Sequence, residues 1–513
     1  GCADPADDLR ALAQPQRVTP MASRTSEVES HPPARVWSCV LVAFFGTVLF
    51  LRLWLVNGWG SPIPFWDQWE GQGLWLYRPW LDGSFHWDIL WAAHNEHRIV
   101  LTRALDLFLL VAFGEWPTWW QMVVNALLNA LTAVLLLRAL AGGLGRAARS
   151  VLVVLAAAVF ASPGGWQNAL WGFQSQCYLV NGFAVLAILG WLAGPAGGVR
   201  WWLSALAVVL ALFSQASGVF APVAIVLASV GLSALARLPI ARREWIGAGC
   251  LLVLVVLGLG LAPEVPGHAY LKARSVAEFG AVFARGLAYP FVDQPYLSPI
   301  LYFPACWFVW TVATGRRRAT ARDRVAFALV CYAGLQAAAI AYSRGAGLVD
   351  YVPLSRYQDG LTFGLMGNAV LLLGLCAGLC RGAAVAAIWM LWTLLGLGLL
   401  GVGCLTYNLR FKTLQNQTAE SMVAAYRATH DPAVFETASP FLRPHPSAKP
   451  VVAVLEDPVL RPVLPPELRG GSPRRPWVVT HAPAGAVIAV ALLIAALAFG
   501  WRTGRPPVSS VSR

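Results

Sequence analysis

Charged residues are scarce in this chain. Asp, Glu, Lys and Arg make up 12% of its 513 residues, whereas hydrophobic residues make up 58%. Soluble domains usually carry about 25% charged residues, and a mean hydropathy of +0.60 is too high for one. The composition therefore excludes a soluble globular protein and predicts that lipid surrounds most of the chain.

Two further signatures are missing. Eight of the nine cysteines lie in or at the ends of apolar runs, which argues against a disulfide framework or a zinc site. No glycine-rich nucleotide-binding loop is present, which disfavours a nucleotide-linked sugar as substrate. The net charge of +13 comes from arginines in short loops between apolar runs, where they set membrane orientation. We therefore expect no nucleic-acid partner.

Apolar runs are what the sequence has in abundance. Twelve of them predict an all-α fold, a polytopic transmembrane helical bundle of about 12 spans, since a span needs about 20 apolar residues. The runs at 147–161 and 201–213 are short for this purpose. The twelve runs are 36–56, 119–137, 147–161, 176–193, 201–213, 219–236, 246–262, 299–314, 325–342, 361–380, 383–406 and 484–500.

A thirteenth apolar run, 99–113, decides the side of every later loop. Its length gives about four helical turns, too few to cross about 30 Å of hydrocarbon. Thr102, Arg103 and Asp106 fall on one helical face. We therefore predict an amphipathic helix that lies in the interface, within the first outer loop.

The positive-inside rule supports this choice. With 99–113 lying flat, nearly all arginine-rich loops face the cytoplasm. The predicted organisation is a disordered cytoplasmic N-terminus, a transmembrane catalytic core, an outer C-terminal segment, and a last span with a cytoplasmic tail. These regions are 1–35, 36–406 with the outer loop 57–118, 407–483, and 484–513.

The first outer loop opens with PFWDQWEG at 64–71. Carboxylates at a membrane surface are costly unless they have a function, so Asp67 and Glu70 are candidate catalytic residues. Three residues apart in an α-helix, they share a face, and Glu70 could then orient an acceptor or help to bind a divalent cation. The alternative is a pair of exposed interfacial acids.

A second cluster, AHNEHRI at 93–99, precedes the flat segment and contains His94, Glu96, His97 and Arg98. An arginine or histidine cation there could neutralise a phosphate, and Glu96 could hold a histidine tautomer or a sugar hydroxyl. Two histidines and one carboxylate are an incomplete set of metal ligands. A solvated cluster at a helix start remains the other interpretation.

Amides and tryptophans combine in WQNALWGFQSQ at 166–176. Amides bond sugar hydroxyls in both directions, and an indole covers the apolar face of a pyranose. We therefore predict a substrate-binding wall, with an aromatic belt at the membrane interface as the alternative. The candidates in this segment are Trp166, Gln167, Asn168, Trp171 and Gln174.

Arg356 and Tyr357 lie just before the run at 361–380. A guanidinium at the outer interface is a natural bidentate partner for a lipid-linked phosphate. Ordinary snorkelling of an arginine from the end of a span is the alternative.

Several short motifs resemble those of one enzyme class. The acidic opening of the first loop is followed by VAFG at 111–114, LLLRALAGGLGRAAR at 135–149 and FASP at 160–163. The hairpin SQASGVFAPVAIVLAS at 214–229 and SRY at 355–357 complete the layout. This layout resembles the GT-C superfamily of integral-membrane glycosyltransferases, although the lysine often found at the turn of that hairpin is absent here.

The resemblance implies transfer of a sugar from a polyprenyl-phosphate donor to an envelope glycan, lipid or protein acceptor. It implies that Asp67 is the catalytic base. Glu70 and Glu96 are further catalytic candidates on the residue chemistry given above. It also implies an active site on the outer face of a bacterial inner (plasma) membrane, with the N-terminus in the cytoplasm. A lipid-linked polysaccharide ligase or polymerase, and a multi-span transporter, are the competing functions.

Overall fold

Helices build the whole described part of the protein. The computed structural model describes residues 34–194, 197–348, 355–377, 379–472 and 474–503. The predicted N-terminal segment, up to residue 33, and the tail from residue 504 lie outside the described residues. In the described ranges the one strand-like pairing is an isolated bridge between His94 and His97, so the predicted all-α class is confirmed.

Eleven helices in the described chain are long and apolar enough to cross a membrane. A twelfth apolar helix, Val199–Leu212, has only 14 residues, which matches the short run predicted at 201–213. The polytopic helical bundle of about 12 spans is therefore confirmed. The eleven are Arg35–Trp59, Thr118–Leu140, Arg146–Leu170, Gly172–Leu192, Ala216–Leu235, Arg242–Gly260, Pro295–Ala313, Ala321–Ala346, Ser355–Cys376, Gly382–Thr429 and Ala482–Arg502.

The helix Ser355–Cys376 is the most enclosed element of the bundle. In its most apolar stretch 94% of the residues are buried. In that of the last helix, Ala482–Arg502, 22% are buried, so the last helix faces outward. Its own Phe363 and Phe308 of the helix Ser298–Ala313 are among the large apolar side chains that fill the interior. Arg356 lies in the first turn of this central helix and Asp359 lies just after it, so both side chains start from a rigid support.

The predicted interface helix exists as Val100–Phe113, a helix of 14 residues. At 1.5 Å per residue it is about 21 Å long, too short to span the hydrocarbon. Thr102, Arg103 and Asp106 are buried against the protein, whereas Phe108 and Val111 are 67% and 62% exposed. The polar face therefore packs inward and the apolar face is free to contact lipid.

The C-terminal segment packs on the first outer loop. Helix Gly382–Gly403 continues through a π-helical turn into Leu409–Thr429, and a short helix Ala448–Glu456 follows. Both regions contribute to one hydrophobic core, with Trp69, Leu76 and Trp116 from the loop and Met422, Tyr426, Phe435 and Val451 from the segment. Neither region encloses this core alone, so the two fold as one unit above the bundle.

Cysteine labelling tests the flat placement of Val100–Phe113. Thiols introduced as His86→Cys and Glu115→Cys flank this helix, and Gly142→Cys lies beyond Thr118–Leu140, which spans about 34 Å. We expect a membrane-impermeant maleimide to label the first two in intact cells and Gly142→Cys only after permeabilisation. The parent chain gives the blank for its own cysteines. Labelling of Glu115→Cys from the opposite side to His86→Cys would make Val100–Phe113 a span.

Candidate functional site

The backbone is strained where the first outer loop begins. Trp66 has a φ of +47°, a region that bulky residues rarely adopt. Its N–H donates to the Pro444 carbonyl at 2.7 Å, and its ring stacks on Phe65 with centroids 5.3 Å apart. Strain of this kind persists only where the surroundings enforce it, and it is concentrated at functional sites.

Asp67 follows directly and pairs with His94. The Asp67 Oδ2 lies 3.2 Å from the His94 Nε2, and the Asp67 side chain is 34% exposed while that of His94 is 8% exposed. The edge of the His94 ring meets Phe173 at a centroid distance of 4.8 Å. A buried imidazole thus fixes a carboxylate that remains open to a substrate, which is the arrangement that a general base needs.

Glu70 does not share in this pair. Residues Gln68–Tyr77 form a π-helix, whose wider turn with i to i+5 hydrogen bonds does not align residues three apart as an α-helix would. The expected common face of Asp67 and Glu70 therefore does not form. In the described ranges no group of three or more His, Cys, Asp or Glu side chains is placed to hold a metal ion.

Glu96 is held in ion pairs. Its Oε1 lies 2.6 Å from the His268 Nδ1 and accepts from the Arg344 Nη2 at 2.8 Å. Burial would raise the pKa of Glu96, but the hydrogen bonds from His268 and Arg344 lower it to about 2. A carboxylate with so low a pKa is a poor proton acceptor at neutral pH, which disfavours Glu96 as the base.

The expected cations of this cluster are not free for a phosphate. Burial lowers the pKa of His97 to about 4, so its imidazole is neutral at physiological pH. Arg98 donates from Nε to the Leu261 carbonyl and from Nη1 to the Trp91 carbonyl, at 3.0 and 2.6 Å. Arg98 therefore fastens loops to each other, a role that depends on partners distant in the sequence.

A cavity of about 280 Å³ lies next to the Asp67 segment. Four of the predicted substrate-binding residues line it: Trp166, Gln167, Trp171 and Arg356. Phe65 and Trp66 complete this side, with the ring of Trp171 5.3 Å from Phe65 and 6.4 Å from Trp66. Asp67 follows the lining residue Trp66 in the chain, although neither Asp67 nor His94 lines this first cavity.

The C-terminal segment supplies the opposite wall, with Phe411, Lys412, Gln415 and Phe441. Lys412 is only 4% exposed. Its Nζ donates to the Gln415 Oε1 at 2.9 Å and lies 4.6 Å from the centre of the Phe65 ring. Within the described residues no carboxylate pairs with Lys412 or with Arg356, and none lines the cavity.

We found no match for the chain among protein-family models, curated proteins or solved structures. The chemistry of the site therefore has to be inferred from its own geometry. Burial without a carboxylate partner lowers the pKa of Lys412 to about 7, and an anion in the cavity would stabilise its ammonium form. Two cations, two amides and an aromatic wall suit a phosphate ester with an apolar chain and a sugar.

A buried ion pair supports the floor of this cavity. Arg52 Nη2 lies 3.2 Å from Asp359 Oδ1, with side chains 2% and 8% exposed. Asn168 Nδ2 donates to Asp359 Oδ2 at 2.8 Å and to the Arg356 carbonyl at 2.9 Å. Any side chain at Gly165 would collide with the Asp359 carboxylate. The first span, the loop at 163–174 and the central helix are thereby fixed to one another.

Besides His94, His97 and Arg98, three predicted binding residues lie outside the cavity wall. Asn168 is buried and bonded to the ion pair just described. The Gln174 Oε1 accepts from the Cys177 Sγ at 3.3 Å, and Tyr357 packs on an apolar cluster around Val282 and Ile340. These side chains shape the site from behind instead of facing a substrate.

Sequence reasoning missed Lys412, Gln415, Arg52 and Asp359. The chain has only three lysines, against 35 arginines, and Lys412 is one of them. It lies in the polar helix that extends a span, and Gln415 follows it three residues later. That spacing was a usable signal. The burial of Lys412 was not predictable, because it depends on contacts with Phe65 and the first outer loop.

A buried polar network lies beneath the interface helix. Asp106 accepts hydrogen bonds from Gln72 and from Gln121, both at 2.8 Å. Burial raises the pKa of Asp106 from 3.8 to about 7, although these bonds and the charge of Arg103 act in the opposite direction. The folded protein therefore favours the protonated carboxyl group.

This shift predicts a pH dependence of stability. The contribution of Asp106 is fully present below its unfolded pKa and is lost as the pH rises through about 7. It amounts to about 4 kcal/mol at about 1.4 kcal/mol per pKa unit. We compare the unfolding midpoints of the parent and of Asp106→Asn. We expect the difference, parent minus variant, to decrease as the pH is raised from about 4 to about 8.

The control for this prediction is Asp88→Asn, because Asp88 is exposed. The lowered pKa of His97 makes stability change with pH in the opposite direction, and it does so in every variant. Only the difference in unfolding midpoint between two proteins is therefore informative. A parent-minus-Asp106→Asn difference that does not change with pH would show that Asp106 is ionised in the folded state.

Proposed function

We propose that the protein is a membrane glycosyltransferase that moves a sugar from a polyprenyl-phosphate donor to an acceptor hydroxyl. The observation that carries this proposal is the first cavity, where Lys412 and Arg356 have no carboxylate partner in the described chain. Its lining residue Trp66 is followed directly by Asp67, which pairs with His94. A leaving phosphate and an incoming hydroxyl need these two kinds of group side by side.

The donor is bound by its phosphate and its chain. The Lys412 ammonium and the Arg356 guanidinium neutralise the phosphate, and the arginine can do so through two parallel hydrogen bonds. Trp166 and Trp171 offer faces to the sugar, and the Gln167 amide bonds its hydroxyls. The apolar rings of Phe411 and Phe441 accept the first isoprene units.

In the reaction, Asp67 takes the proton of the acceptor hydroxyl while the acceptor oxygen bonds to the anomeric carbon. The bond from that carbon to the phosphate oxygen breaks, and polyprenyl phosphate leaves with the electron pair. Lys412 and Arg356 stabilise the charge that grows on the phosphate. His94, hydrogen-bonded to Asp67, holds the carboxylate in line with the acceptor.

The arginine distribution supports a location on the outer face of a bacterial inner membrane. The first outer loop and the C-terminal segment, which build the site, join spans whose other ends carry the arginines. In that compartment the acceptors with free hydroxyls are envelope glycans, lipids and proteins. The N-terminus is cytoplasmic in this orientation.

A lipid-linked polysaccharide ligase or polymerase is the second candidate. The specific observation in its favour is that both cations of the cavity, Arg356 and Lys412, come from the last third of the chain, as expected for enzymes whose key basic residues lie in late outer loops. In such an enzyme the donor would carry a whole glycan, and Asp67 would be dispensable.

Lys412→Met tests the anion site. Met keeps most of the apolar volume while removing the buried charge, so we expect the ligand-free variant to unfold at a higher temperature than the parent. Added polyprenyl phosphate should stabilise the parent, with the variant binding it at least about tenfold more weakly. The measurement is thermal unfolding in detergent with and without polyprenyl phosphate.

Lys449→Met is the matched control, because Lys449 lies in the same C-terminal segment but is exposed. It should behave like the parent in both respects. Equal stabilisation of parent and Lys412→Met by polyprenyl phosphate would remove the phosphate site from the first cavity.

Asp67→Asn tests the chemistry. The amide keeps the shape of the carboxylate but cannot accept the proton, so transfer should fall by about 10² to 10⁴ while binding of polyprenyl phosphate is retained. The assay is glycan transfer by purified protein in vesicles with a polyprenyl-phosphate sugar. Glu70→Gln, which alters an equally charged neighbour, should have a smaller effect.

Two other results would change the proposal. Severe losses in both variants together with dependence on added divalent cation would mean that Asp67 and Glu70 hold a metal ion. Transfer by Asp67→Asn at the parent rate, with donor binding intact, would favour the ligase or polymerase.

A further inference from the structure

A second cavity, also of about 280 Å³, lies among helix ends and is lined by residues 191, 192, 194, 201, 229, 243, 244, 321 and 324. Trp191 and Trp201 form one side, with their rings 4.4 Å apart and tilted by 35°. Arg243, Glu244 and Arg324 form the charged side. Neither the proposed reaction nor the first cavity uses any of these residues.

The charges of this second cavity have different supports. Arg324 is fixed, because it donates from Nη1 to the Ser229 carbonyl and from Nη2 to the Ser233 Oγ, both at 3.1 Å. Glu244 is occupied as a cap, since its Oε2 accepts from the Ala241 N–H at 3.1 Å. Arg243 is exposed and has no ion pair or hydrogen bond to any described residue, so its guanidinium is available to a ligand.

Three helices start at this cavity, Val199–Leu212, Arg242–Gly260 and Ala321–Leu348. Helix N-termini carry partial positive charge and attract anions. Two arginines and one glutamate add one net positive charge. The electrostatic character of the second cavity is therefore suited to a ligand with one negative charge.

The second cavity lies at the opposite membrane end from the first. Helix Ser175–Leu192 begins just after Trp171, which lines the first cavity, and ends at the second. Its 18 residues span about 27 Å, close to the thickness of the hydrocarbon region. The second cavity thus opens at the arginine-rich surface, at headgroup depth.

We propose that the second cavity binds a phosphate ester, with Arg243 and Arg324 on the phosphate and the Trp191–Trp201 pair against the apolar part of the ligand. Phosphate esters reach this depth as the headgroups of anionic phospholipids, for which basic pockets between spans are typical sites, or as soluble glycerol phosphate. Both sources present a phosphate ester, which carries one negative charge in the phospholipid diester and close to two in glycerol phosphate at neutral pH.

The test compares two adjacent arginines in the full-length protein. Arg243→Gln removes a cavity charge, and Arg242→Gln removes the same charge one residue away without touching the cavity. Both side chains are exposed, so neither change should disturb folding. Binding of phosphatidylglycerol to protein in phosphatidylcholine bilayers is measured by native mass spectrometry, and binding of glycerol phosphate by calorimetry in detergent.

We expect Arg243→Gln to weaken phosphatidylglycerol binding by about tenfold and Arg242→Gln to leave it unchanged. If glycerol phosphate binds with the same dependence on Arg243, the phosphate group alone is recognised; if only the lipid binds, the site needs the acyl chains too. Equal weakening by both variants overturns the proposal, because the attraction would then come from general surface charge. No binding of either probe also overturns it, because the cavity would then bind no phosphate ester.

Discussion

The buried ion pair between Arg52 and Asp359 is the constraint on which the site depends. Neither charge is tolerable alone in a low-dielectric interior, since loss of one partner leaves the other unpaired. Arg52 also donates from Nε to the Phe160 carbonyl at 2.8 Å, and Asn168 joins Asp359 to the Arg356 carbonyl. One pair therefore sets the position of three elements, and with them the wall of the first cavity.

The other wall depends on packing that no single region can provide. The first outer loop and the C-terminal segment share one hydrophobic core, and the strained Trp66 is held by the Pro444 carbonyl of that segment. Trp66 and Lys412, almost 350 residues apart, thus line the same cavity because the two regions pack together. Burial of Lys412 without a counter-charge is a cost that the folded protein keeps, as binding sites often do.

The sequence was sufficient for the features that depend on local patterns. Run lengths predicted the spans, and the single polar face of Val100–Phe113 predicted its exclusion from them. The roles of individual polar residues were less accessible, because their partners are remote: Arg98 bonds the Leu261 carbonyl, and Glu96 bonds Arg344. The predicted binding residues that line the first cavity were recognised by residue type. Asn168 was predicted to bind a substrate, because its hydrogen bond to Asp359 could not be foreseen from the sequence.

The distribution of buried charge also bears on the choice between an enzyme and a transporter. Transporters place ionisable or broken segments near the middle of the bilayer. In the described bundle, the buried charged side chains of the candidate spans are Arg52, Asp359 and Lys412, on the side of the first cavity, and Asp323 at the other end. Asp323 belongs to a local ion pair with Arg317 at 3.0 Å. Between these ends the described interior has no buried charged side chain, which favours an enzyme whose site lies near a membrane surface over a transporter with a binding site at mid-membrane.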